Sequence, residues 1–93
     1  MYPRKLAQLR EKIRNRQYVM TLHAEEEMDD DNLSIFDIES SILSGDIRER
    51  QKDEESAEWK YVIEGRTLTG GKMAVVVKMS ITDRLVIITV WRE

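Results

Sequence analysis

Apolar positions along the chain follow one period in the first half and another in the second. After Pro3, Leu6, Leu9 and Ile13 recur at three- and four-residue steps, which predicts an amphipathic helix over about residues 3–16. Its other face is nearly all Arg and Lys. Tyr18–Leu22 is short and compatible with a strand. His23 then opens a polar segment in which Ala24–Asp30 predicts a brief helix. There Glu25, Glu26 and Glu27 suit the positive end of the helix dipole, while Asp29, Asp30 and Asp31 oppose the negative end and stop it. Ser34 followed by Asp37 forms a capping box with Asp in the usual place of Glu or Gln. Ile35, Ile38, Ile42 and Leu43 supply an apolar stripe and Gly45 a stop, which predicts a helix over 34–44.

Beyond Gly45 the period falls to two. Ile47–Gln51 alternates weakly and reads as an edge strand protected by its charges. Lys52–Glu58 is an acidic loop. Trp59, Tyr61 and Ile63 alternate with Lys60, Val62 and Glu64 as a second strand, with Gly65 as a bulge and Thr69–Lys72 as a turn. Met73–Ser80 and Leu85–Trp91 are almost continuously apolar, so both belong in the middle of a sheet covered on much of both faces. Helices first and strands after predict an α+β fold, N-terminal helices followed by a four-stranded antiparallel sheet. The chain reads as a single domain over 1–93, without repeat or linker. Its parts are a basic N-terminal helix (1–17), a His-containing segment and helix (18–45) and an antiparallel sheet (46–92).

Composition narrows the classes. Ninety-three residues leave no room for a second domain of ordinary size. The absence of cysteine excludes disulfides, thiolate metal sites and cysteine nucleophiles. No apolar run approaches the roughly 18 residues of a membrane span, and the start does not resemble a signal peptide, so a cytoplasmic location is expected. The net charge of −3 conceals an asymmetry. Residues 1–16 carry +5, residues 23–58 carry −11 and residues 59–93 carry +3, a pattern that suits different partners on different sides.

His23 is the only histidine and so the natural general acid or base. On a helix Glu27 shares its face, but two ligands make an incomplete metal site. An EF-hand loop from Asp29 would need Gly at Ser34 and Glu at Ser40, so calcium is excluded. No cofactor is implied. Lys60, Lys78 and Arg92 alternate with apolar residues and are expected to share an open sheet face, with Arg66 beside Gly65. Beside Tyr61 and Trp91, such bases suit a single-stranded nucleic acid, charge meeting phosphate and rings meeting bases. The plainer alternative has the lysines snorkelling at sheet edges and Trp59 and Trp91 filling the core.

Several landmarks occur in a recognisable order: His23–Ala24, Met28, Leu33–Ser34, Asp37–Ile38, Ile42–Ile47, Gly65–Thr67, Gly70–Gly71 and Ile87–Trp91. Over residues 18–92 this order resembles the bacterial family called domain of unknown function 4258. That family in turn looks like the RelE/HigB group of small ribonuclease toxins. The resemblance implies a RelE-toxin-like fold, a zinc-ribbon antitoxin as partner and metal-independent endoribonuclease activity. A base would take the ribose 2′-hydroxyl proton, an acid would protonate the leaving oxygen, and cations would stabilise the phosphorane. By position His23 matches the family histidine, Gly65 and Gly70 or Gly71 match its turn glycines, and Trp91 replaces its tyrosine. On this reading His23 is the acid or base, and Lys60, Arg66, Lys78 and Arg92 are phosphate clamps. The departures are specific: Glu27 and Asp31 stand where arginines are common, Ala74 replaces a histidine, and the terminal Tyr-x-Pro becomes Trp91–Arg92–Glu93. A carboxylate repels the phosphate that an arginine would attract. Two readings are therefore open: a toxin-like ribonuclease, and a non-catalytic protein- or nucleic-acid-binding module on the same fold.

Overall fold

The computed structural model describes residues 2–56 and 58–93. Helix α1 (Pro3–Arg14) starts on a proline and buries Leu6, Leu9 and Ile13, the three apolar positions of its period. Strand β1 (Tyr18–Met20) follows, then α2 (Leu22–Asp30) and α3 (Ile35–Ser44). Four strands complete the chain: β2 (Asp46–Lys52), β3 (Trp59–Arg66), β4 (Lys72–Met79) and β5 (Leu85–Arg92). The α+β class holds, and the sheet is five-stranded in the order β1-β5-β4-β3-β2. The last four strands are antiparallel neighbours, as expected. The addition is β1, which pairs parallel to β5 through Tyr18↔Leu85, Val19↔Val86 and Met20↔Ile87.

Helix α2 begins two residues earlier than its charge pattern suggests, because Thr21 is its N-cap. The Thr21 hydroxyl accepts from Ala24 N at 3.0 Å and donates to Ile88 O at 2.9 Å. The capping box of α3 is formed as expected, Ser34 and Asp37 each receiving the other's backbone N–H.

All three helices pack on one face of the sheet. There Leu9, Ile38, Ile42, Ile63, Val75, Val77, Ile87 and Val90 form the main core. The other face carries a smaller cluster made only of strand residues: Val62, Ala74 and Val76, with Ile88 and Trp91 packed on them. The expectation that β4 and β5 are covered on both faces is thus half corrected. Neighbouring side chains, and no helix, shield the second face.

Gly65 is not a bulge. The β3–β4 register runs unbroken from Tyr61↔Val77 to Arg66↔Lys72. Its missing side chain serves helix packing, since a Cβ there would lie 2.0 Å from the carbonyl oxygen of Ser41 on α3. The irregularities fall elsewhere, at Arg48 on β2 and where Val76 and Val77 meet β5.

Candidate functional site

β1 covers only the first three residues of β5, and α2 takes over along the remaining edge. A helix cannot continue a strand ladder, so side chains do it. One carboxylate oxygen of Glu27 accepts from Val90 N at 3.2 Å and from the Thr89 hydroxyl. Asp31 accepts from Arg92 N at 3.0 Å. These two positions, where the family resemblance leads one to expect arginines, are carboxylates that satisfy a sheet edge.

His23 sits in the first turn of α2 with its side chain 67% exposed, and Nε2 lies 3.2 Å from the same Glu27 oxygen. The shared helix face predicted for this pair is therefore real. Glu27, however, is already committed to the β5 edge, and among the described residues no other sequence-predicted site residue bonds to His23.

Lys60 and Lys78 do share the open sheet face. They flank the Tyr61↔Val77 pair, both of whose side chains point into the helix-side core. Lys78 Nζ meets Glu58 at 3.7 Å. Arg66 is at the opposite end of β3, about 20 Å from Lys60 at the usual rise per strand residue; its guanidinium donates to Gly70 O at 3.2 Å. Arg92 is a correction to the shared-face expectation. It pairs with Met73 and follows the alternation of Val90, so its side chain leaves on the helix side. There it donates to the carbonyls of Asp31 and Asn32 at 3.1–3.3 Å. Lys60 and Lys78 thus stand at one end of the sheet, whereas Arg66 and Arg92 both border the Gly70–Gly71 turn at the other.

The Trp91 end of the open face is closed by charge. Arg48 bonds Glu64 and Glu93, each at 2.7 Å, and its guanidinium stands 5.9 Å from the centre of the Trp91 ring. The Arg48 bond holds the Glu64 carboxyl below its usual range. Ala74 lies opposite Trp91, buried in the small cluster.

Two further shifts mark the helix side. Burial, helped by the Glu39 carboxylate that accepts from its hydroxyl at 2.6 Å, pushes the Tyr18 phenol up to about 12. Backbone N–H donors from Ser34 and then Leu68 hold Asp37 below the ordinary carboxylate range.

Sequence reasoning missed two surfaces. On α3 a second stripe points outward: Phe36 (55% exposed) and Leu43, seven residues apart, flank Glu39 and Ser40. With Leu68 (66% exposed) they line an open groove of about 400 Å³. Leu43 was expected in the buried stripe. The signal for its place was available in the sequence, since Phe36 is out of phase with Ile35, Ile38 and Ile42. The other surface gathers Tyr2, Arg50, Trp59 and Tyr61 where α1 begins beside β2 and β3. Trp59 was expected in the core and is 41% exposed, because it lies at the very start of its strand.

Among the described residues no group of three or more His, Asp or Glu side chains is placed to hold a metal ion. No described helix is long and apolar enough to cross a membrane. Fold and site together define a small α+β domain with a helix-capped sheet edge and dispersed basic residues. The chain belongs to the family described as domain of unknown function (DUF4258), whose model matches residues 20–92. Helix α1 lies outside that match. Neither a curated protein nor a solved structure gives a significant match.

Proposed function

We propose that this domain is a non-catalytic binding module that docks a basic, amphipathic protein segment on the outward face of α3. The observation that carries this reading is the groove between Phe36, Leu43 and Leu68. Three large apolar side chains exposed together on so small a domain suit a partner better than solvent. The groove is also held in shape. Asp37 caps α3 and accepts from Leu68 N at 2.9 Å, so one carboxylate fixes both walls. Charge bears on the occupant: Glu39 is the one charged residue lining the groove, and residues 22–44 hold eight carboxylates and no Lys or Arg. Of these, Glu25, Glu26, Asp29 and Asp30 stand on the surface of α2 without an ion-pair partner among the described residues. A Leu- or Phe-bearing helix flanked by Lys and Arg matches both features.

The ribonuclease reading keeps one specific observation, the exposed His23 imidazole beside Glu27. It lacks a single gathered set of cations, since Lys60 and Lys78 stand at the far end of the sheet from Arg66 and Arg92.

One pair of experiments separates the two. A labelled Leu/Lys amphipathic peptide is expected to bind the full chain, weaken at least tenfold with Phe36→Ala plus Leu68→Ala, and weaken further as salt rises. Its Leu/Glu counterpart should bind far less. Equal binding of the two peptides, or indifference to the double substitution, would overturn the docking surface. RNA turnover by the purified protein that disappears in His23→Ala, or growth arrest on induction that needs His23, would establish the ribonuclease instead.

A further inference from the structure

Where α1 begins beside β2 and β3, on residues that do not line the α3 groove, we infer a binding site for a nucleotide unit of single-stranded nucleic acid, formed by Tyr2, Lys5, Arg50, Lys52, Trp59 and Tyr61. Arg50 and Lys52 stand on β2 directly across from Tyr61 and Trp59 on β3, so cations and rings alternate over one patch. The Arg50 guanidinium lies 4.0 Å from the Trp59 ring centre and 5.2 Å from that of Tyr2. Tyr2 meets Tyr61 edge to face at 6.3 Å. Lys5 stands 5.5 Å from the Tyr61 ring and Lys52 5.8 Å from Trp59.

Tyr2, Lys5, Arg50 and Tyr61, with Pro3 and Arg4, line an open pocket of about 490 Å³, within the range of small-ligand sites. A second depression of about 200 Å³ shares Lys5 and Tyr61 and reaches Trp59 and Met79. Two adjoining hollows along a line of rings suit successive units of one strand better than an isolated small molecule.

The charges favour an anion. Arg4, Lys5, Arg50 and Lys52 have no carboxylate within 4.0 Å among the described residues, whereas Lys12, Arg14 and Lys78 each have one and Arg48 has two. Glu58, the acid of the second depression, faces Lys78. Arg4 and Lys5 also occupy the first turn of α1, where the helix dipole favours acids, so folding alone does not call for them. Planar faces select the anion further. The exposed Trp59 ring and the stacked Arg50 plane are platforms for a base, and the lysines on either side reach phosphates. A duplex hides its base faces and cannot use them.

The test is anisotropy of a fluorescein-labelled ten-nucleotide single strand titrated with the full chain. Binding is expected to fall about fivefold or more in Trp59→Ala, to be restored in large part by Trp59→Phe, and to fall in Arg50→Ala. The logarithmic salt slope should be about −2 for three phosphates, and should shrink by about 1 in Lys5→Ala plus Lys52→Ala. Thermal unfolding of each variant separates loss of binding from loss of fold. No binding by wild type overturns the site, as does a folded Trp59→Ala that binds equally well. Equal affinity for the duplex also overturns it. Competition by poly-glutamate at the same charge concentration would identify an acidic peptide site and equally refute the proposal.

Discussion

Glu27 offers the sharpest test of how the β5 edge is held. Replacing it with Ala removes the acceptor of Val90 N and Thr89 Oγ1 and the neighbour of His23. A hydrogen bond to a charged group contributes about 1.5–3 kcal/mol, and a buried backbone N–H left without an acceptor costs about 1–3 kcal/mol. The Glu27 side chain is 28% exposed, so water reaches part of the vacated site and the two figures are not summed. A loss of about 2 kcal/mol is expected, which for a domain of this size lowers Tm by about 8–16 °C. Urea unfolding at neutral pH should show a lower midpoint with an unchanged slope. Glu27→Gln keeps an acceptor and should lose about half as much. Glu27→Arg presents a cation to N–H donors and should lose at least as much as Ala. His23→Ala, by contrast, breaks only an exposed contact and should stay within about 0.5 kcal/mol. The edge-capping explanation fails if Glu27→Ala also stays within that margin, or if His23→Ala matches its cost.

Three further outcomes follow from other parts of the fold. Gly65→Ala would push a Cβ against the Ser41 carbonyl and is expected to cost about 2–3 kcal/mol. Gly71→Ala, whose Cβ meets nothing closer than 3.4 Å, should be nearly neutral, and equal unfolding midpoints for the two would discount the close approach. The Tyr18 phenol, raised to about 12 by burial and then by Glu39, contributes stability that is complete below the ordinary tyrosine value near 10. That stability is lost as pH rises through 12. Absorbance titration should therefore show a late phenol step that disappears in Tyr18→Phe; a titration that Tyr18→Phe leaves without any lost late step would contradict this. Asp37 is shifted the other way by the Ser34 and Leu68 N–H groups, so its contribution is present above the ordinary aspartate value near 4 and is lost as pH falls through its lowered value. Asp37→Asn should cost about 1 kcal/mol at neutral pH and flatten the acid limb of stability against pH, whereas an unchanged acid limb would show that the cap does not titrate.

The sites divide along the same line as the energetics. Carboxylates at 27 and 31 read in sequence as a damaged phosphate site, because charge sign is all that sequence displays. In the folded chain they are hydrogen-bond acceptors for a strand that has run out of partners. Both carboxylates accept hydrogen bonds from β5, a role an arginine, which only donates, could not fill.

What the sequence alone determined is local. Pro3 and the 6–9–13 spacing specify α1, the Ser34–Asp37 pair specifies the start of α3, the period-two run specifies β3 and the almost continuously apolar runs specify β4 and β5, because helix caps and side-chain patterning act within a few residues. The α+β class follows from their order. The tertiary structure alone decided which elements meet across long separations. Tyr18–Met20, strand-compatible in sequence, finds its place in the sheet only as a parallel partner of β5 some 67 residues away. Arg92 leaves the open face because register, which no local pattern reveals beside an irregular pairing, sets its side. Phe36, Leu43 and Leu68 form a groove, and Tyr2, Arg50 and Trp59 a stacked patch, by the same long-range closure. Proximity between distant residues is a property of packing, and it is packing that places every surface on which function is proposed.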